Sequence, residues 1–169
     1  LSDKLAAENR TNFHSRIFIS HPHWDHINAL PFFAPLYQQG NEFEILGASH
    51  GDISMRELIA GQMDGIYFPV NLNQFAARVY FRNLCEETLE FDGIKVSTML
   101  LNHPGYCLGY RVDYGDRSFC YITDNEIFPK DCQHYDPVYR NKLIKFVAGA
   151  DTLIMDTTYT DEEYPSHVG

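Results

Sequence analysis

Three imidazoles and a carboxylate crowd the segment His21-Pro22-His23-Trp24-Asp25-His26, directly behind the apolar run Ile17-Phe18-Ile19. Side chains two apart on an extended segment project to the same side, so His21 and His23 are placed to grip one cation together. Asp25 and His26 fall just past the strand, where the chain must turn, and are expected to face the other way. That division suits two neighbouring metal ions better than one. Imidazole and carboxylate are the ordinary ligands of zinc, manganese and iron. A merely polar turn is a poor account of such crowding in a chain with eight histidines.

The elements that must position these groups alternate along the chain. Residues 1–10 read as the tail of a helix, and residues 16–20 as the buried strand that delivers the motif. From Ile27 to Gln38 the apolar spacing predicts a helix broken near Pro31 or Pro35. A strand over 43–48 is followed by a helix from Asp52 to Met63, with Asp52 as its cap and Met55, Leu58, Ile59 and Met63 on one face. An aromatic loop occupies 65–77. The second half is mainly β, with strands at 78–84, 88–91, 94–101, 106–113 and 117–123, punctuated by Asp92-Gly93 and Tyr114-Gly115-Asp116. Residues 137–148 form a helix opening on proline, and 152–156 a last strand. His103, Asp124 and Asp156 all follow or end apolar strands. Periodicity alone supports only an α/β or α+β chain.

The order H-x-H-x-D-H after a strand resembles the first metal motif of the metallo-β-lactamase superfamily. His103, in Leu101-Asn102-His103-Pro104-Gly105, matches the lone histidine that completes the first metal site. Asp124, in Tyr121-Ile122-Thr123-Asp124-Asn125, matches the carboxylate that bridges two metals, and Asp156 an acid at the end of a later strand. The resemblance covers nearly the whole chain and implies an αββα sandwich, two mixed sheets flanked by helices. It also implies that the chain is one domain over 1–169, an internal portion lacking the first strands and the last histidine motifs. His167 lies close to the end and could substitute for a missing ligand, but a terminus is a poor place to fix one.

On this resemblance His21, His23 and His103 hold one divalent ion, Asp25 and His26 the other, and Asp124 bridges them. Zinc is the expected metal, with manganese or iron as alternatives. Two close dications lower the pKa of the water they share and clamp the oxygens of the reacting centre. Asp25 and Asp156 are the candidate catalytic carboxylates. His23 resembles the hydrolases, where the oxygen-reducing branch has glutamate. Asp124 separates the chain from the true zinc β-lactamases, which have cysteine there. The pattern around Asp156 is closer to the phosphodiesterases, including the tRNA 3′-processing and cyclic-phosphate enzymes. Hydrolysis of a carboxyl ester, thioester or lactone uses the same ligands, and a non-catalytic ligand-sensing domain is the third reading.

Composition narrows the partners. The net charge of −10, with 13 scattered basic residues, argues against a long nucleic acid, which needs a basic stripe. A small anionic substrate that meets the metals directly fits better, and Tyr67, Phe68, Pro69 and Phe75 are placed to stack a base or simply to complete the core. Arg111 and Arg140 could meet a phosphate, but isolated arginines usually make surface pairs. No apolar run is long enough for a membrane span and no signal peptide is visible, so the cytoplasm is the default location. The Ile66-Tyr67-Phe68 loop is a candidate homodimer contact. Cys107 and Cys120 read as small buried apolar side chains. His14, His50 and His134 read as surface or satisfied core histidines.

Overall fold

The computed structural model describes residues 12–66 and 68–168. The helix tail expected over 1–10, and Tyr67, lie outside the described residues. The chain divides into two compact units, Leu1–Leu84 and Cys85–Gly169.

The first unit is built on three parallel strands, β1 (His14–Phe18), β2 (Glu42–Ala48) and β3 (Arg78–Leu84), with β2 in the middle. Parallel neighbours need crossover connections. The β1–β2 crossover carries the histidine motif, a single-turn helix α1 (Trp24–Ile27) and two 3-10 turns, Leu30–Phe32 and Ala34–Tyr37. Proline stands in the first positions of each turn, where its missing N–H costs nothing, and this breaks the longer helix at the expected prolines. The β2–β3 crossover carries α2 (Met55–Gln62). Its cap is Ser54, not the expected Asp52: the Ser54 hydroxyl accepts from Glu57 N–H, and the Glu57 carboxylate accepts from Ser54 N–H at 2.8 Å. A bridge between His50 and Ile53 draws Asp52 into a turn and away from the helix start.

Leu36, Ile45, Met55 and Ile59 are fully buried in the core between this sheet and its crossovers. Each such side chain contributes roughly 1.5–3 kcal/mol. Gly47 lets β2 pass close under the start of the motif: a Cβ there would lie 2.4 Å from Met55 Cε and 3.0 Å from the Ile19 carbonyl.

The second unit is a five-stranded sheet in sequence order, β4 (Thr88–Phe91), β5 (Ile94–Leu100), β6 (Leu108–Tyr114), β7 (Arg117–Ile122) and β8 (Thr152–Met155). The first four strands are an antiparallel meander; β8 returns parallel to β7 through helix α3 (Pro137–Val147). Asp92 and Gly93 both have positive φ, 54° and 81°, as a two-residue hairpin requires. Asp136 caps α3 by accepting from Val138 and Tyr139 N–H. At the other end, Arg111 Nη1 donates to the Phe146 and Ala148 carbonyls at 2.9 Å while Nε donates to Asp113. The guanidinium is thereby paired, the ordinary role of an isolated arginine, and its bonds are to this unit's own groups. Met99, Leu101, Cys107, Ile122 and Leu143 form the core, with the Tyr139 ring packed against it. Among the described residues no helix is long and apolar enough to cross a membrane.

Candidate metal centre

The first ligand set forms where the chain leaves β1. Ile19 N–H still bonds to Leu46 O at 2.8 Å, so the sheet holds the strand's continuation up to the motif. His21 is 1% exposed, and its Nδ1 lies 3.2 Å from the Ser20 hydroxyl. Its Nε2 lies 2.9 Å from His23 Nδ1, the two rings meeting edge-on. Two nitrogens on one tetrahedral zinc, each at about 2.0–2.1 Å, sit about 3.3–3.4 Å apart, so a separation of a few tenths of an ångström more would let this pair share a cation. With Nδ1 donating to Ser20, His21 offers the Nε2 lone pair toward His23.

Asp25 and His26 were expected to face away, and His26 does not. Its ring centroid is 4.2 Å from that of His21. The reason is local. The chain turns helical at Trp24, with His26 N–H bonded to the His23 carbonyl at 3.0 Å, and one helical turn swings the ring back. Asp25 projects outward, its side chain 79% exposed, with Oδ2 3.2 Å from His26 Nε2.

The second ligand set sits on one edge of the five-stranded sheet. β5, β7 and β8 run in the same direction, so the residues just beyond them leave the same edge. His103 Nε2 lies 3.7 Å from Asp124 Oδ2, while the Thr123 hydroxyl donates to Asp124 Oδ1 at 2.9 Å. Asp156 follows β8, with its N–H on the Ile122 carbonyl at 3.0 Å and its Oδ1 accepting from the Thr158 hydroxyl. Cys107 packs beneath, with Sγ 3.7 Å from the Asp124 carbonyl; burial, and then the Asp124 charge, pushes its thiol up to about 12. It is an inert core residue, as expected.

A latch holds the His103 and Asp124 loops together. Asn102 N–H is shared between Asn125 Oδ1 at 3.0 Å and Tyr139 Oη at 2.9 Å, and the Tyr139 hydroxyl donates to Asn125 Oδ1. Asn102 Nδ2 donates to the Glu126 carbonyl, and Glu126 N–H to the Asn102 carbonyl, both at 2.9 Å. Burial raises the Tyr139 phenol, which stays neutral and able to donate. Sequence reasoning missed Ser20, Thr123 and this latch. An asparagine beside each presumed ligand was the available signal; nothing along the chain pointed to Tyr139.

The other candidates are engaged elsewhere. His167 stacks on Tyr159 at 4.1 Å, with the planes 4° apart. His14 pairs with Glu42 at 3.2 Å, and His134 lies against Phe128 and Gln133. Phe75 packs against Tyr37 and the core of the first unit, whereas Phe68 meets Phe32 edge-on. The aromatic loop thus divides between core and surface.

The chain matches the model of the beta-lactamase superfamily domain over residues 8–169, and it belongs to that superfamily. Ribonuclease Z of Lactococcus lactis subsp. lactis is 30% identical over 102 residues, covering 58% of this chain and 31% of that protein. The chain therefore spans about a third of the length of this curated relative. Human tRNase Z, short form, has the same fold with a TM-score of 0.58 and 20% identity, over 87% of this chain and 59% of that one. The metallo-β-lactamase fold protein YhfI from Bacillus subtilis matches with a TM-score of 0.57 and 16% identity, over 90% and 54%. The expected fold is thereby shown. The family implies divalent metal ions, and the imidazole and carboxylate donors in each unit suit such ions.

Proposed function

We propose that the two ligand sets close on a shared pair of divalent ions, zinc first and manganese or iron as alternatives, and that the protein is a phosphodiesterase acting on a small cyclic nucleotide or cyclic phosphate. The observation that carries this reading is the donor set, four histidines and two aspartates at the family's ordered positions, each group already oriented by a neighbour inside its own unit. Bound ions supply an activated water and a clamp for the phosphoryl oxygens. His21, His23 and His103 are assigned to one ion, Asp25 and His26 to the other, and Asp124 to both. Ser20 and Thr123 fix the ring and the carboxylate they touch, which spares the site reorganisation during the reaction. Asp156, held by Thr158, is assigned to orienting water or substrate.

Phosphorus is favoured over carbon because the relatives reported above carry nuclease names. A small substrate is favoured by the net charge of −10. The test is hydrolysis of bis(p-nitrophenyl) phosphate by the whole protein, with manganese and zinc in parallel and His23→Ala as control. Turnover that vanishes in the control supports the reading. A folded, metal-loaded protein that leaves the diester intact but cleaves carboxyl esters or thioesters overturns it.

A further inference from the structure

Beyond Asp156 the chain runs through solvent. Every residue from Thr157 to Val168 is exposed except Tyr164, which is half-buried. Such a strap hides almost no apolar surface, so burial is not what orders it. Polar contacts within the strap do so instead. The Thr160 N–H and hydroxyl both donate to the Glu163 carboxylate, at 3.0 and 2.9 Å, and these bonds hold that carboxyl below its usual range. The Tyr159–His167 stack closes the same stretch. Its one attachment through a half-buried side chain is Tyr164, whose hydroxyl donates to Glu126 Oε1 at 2.6 Å. At the start of the strap, Asp156 N–H holds the Ile122 carbonyl at 3.0 Å. The segment from Ile122 to Glu126, which carries Asp124, is therefore gripped at both ends by one stretch of chain. Glu126 is also where that segment meets the His103 loop, because it exchanges two bonds with Asn102. One residue thus joins the strap, the Asp124 segment and the His103 loop. Desolvation, and then the bond to Glu126, pushes the Tyr164 phenol up to about 12, so it stays neutral and keeps donating.

We propose that Tyr164 is a positioning residue for the metal centre, acting through Glu126 to set the Asp124 and His103 loops. The inference deepens the reading above and rests on it only in taking Asp124 and His103 as metal ligands. Groups that orient ligands from behind are worth about 10–100-fold in metal affinity. Tyr164 reaches the ligands through a further residue, so the lower end of that range, about 10-fold, is expected. The bond also fixes the far end of the strap that Asp156 begins. Docking Tyr164 therefore holds all three residues of this sheet edge, His103, Asp124 and Asp156, in one connected frame.

The test is a titration of the metal-free whole protein with zinc and with cobalt, whose visible bands follow ligand geometry. Wild type is compared with Tyr164→Phe, Glu126→Ala, Glu126→Gln and the Tyr164→Phe, Glu126→Ala double variant. Tyr164→Phe keeps the ring and should keep the wild-type circular dichroism spectrum. It should bind either ion about 10-fold more weakly and shift the cobalt bands. Glu126→Ala should do the same, and the double variant should lose nothing further, because the two side chains act through one bond. Glu126→Gln keeps an acceptor oxygen for the phenol and should restore most of the affinity. A hydroxyl that only steadies the strap would lower Tm while affinity and cobalt bands stay as in wild type, and that result overturns the proposal. Losses that add in the double variant overturn the route through Glu126. No substrate enters either readout, so failure of the hydrolysis assay is separate from failure here. A wild type that takes up no divalent ion overturns the metal-centre reading and this inference with it. Normal uptake by wild type beside an unchanged Tyr164→Phe overturns this inference alone.

Discussion

Tyr139→Phe removes one oxygen from the latch and leaves the ring in the core of the second unit. The hydroxyl makes two bonds, one donated to Asn125 Oδ1 and one accepted from Asn102 N–H. Each is worth about 0.5–1.5 kcal/mol net. Asn102 N–H keeps its second acceptor, Asn125 Oδ1 at 3.0 Å, so part of the loss is recovered. The expected destabilisation is therefore about 1–2 kcal/mol, with no cavity contribution. For a domain of 150–250 residues, 1 kcal/mol shifts Tm by about 2–4 °C, which places the change at about 2–8 °C. Urea unfolding and thermal melts of the metal-free whole protein read it directly. The bond network also sets the spacing of the His103 and Asp124 loops, so metal affinity should fall in the same variant. An unchanged stability and an unchanged metal affinity would together refute the latch.

Other consequences follow from the same contacts. Ser20→Ala should lower metal affinity about 10–100-fold by freeing the His21 ring, while the circular dichroism spectrum is unchanged; equal affinity would show that the 3.2 Å contact orients nothing. Native-state thiol labelling at pH 8 should modify exposed Cys85 and spare buried Cys107 and Cys120, whose thiols are raised by burial; rapid modification of Cys107 would contradict its placement. Two carboxylates link stability to acid. Burial pushes Glu86 up, but Lys142 at 2.6 Å and the Leu100 N–H outweigh it, and Asp151 is lowered by the Ser118 N–H and hydroxyl and by Arg117. Their folded pKa values lie below the unfolded ones, so the stabilisation is complete only above about pH 5.5, about one unit over the unfolded glutamate value, and is lost as pH falls through the folded values. Urea midpoints between pH 7 and pH 3 should fall less steeply for Glu86→Gln; parallel curves would count against the linkage.

What the sequence disclosed was local. Strand patterns of period two and the Asp92-Gly93 turn placed β3 and β4 at their observed ends, because alternation and a positive-φ dipeptide need no tertiary context. The histidine motif was legible for the same reason, as all its members lie within one short segment. The errors were tertiary. Asp52 looked like a cap until the His50–Ile53 bridge drew it aside, and Ser54 took the role. His26 was turned outward on the assumption of an open turn; a helical hydrogen bond at His23 brought it back against His21. The partners of Arg111 were not legible, because the carbonyls it fastens belong to a helix distant in sequence. Tyr139 carried no signal at all, since its significance lies in which polar atoms meet it.

The most direct test of the central proposal is a metal titration of the whole protein in four forms: wild type, His23→Ala, His103→Ala and the double variant. Ligands from the two units that hold one ion are energetically coupled, so each single substitution should abolish binding of the same ion, and the double variant should lose nothing further. Additive losses, with one ion disappearing from each unit, would contradict a shared centre.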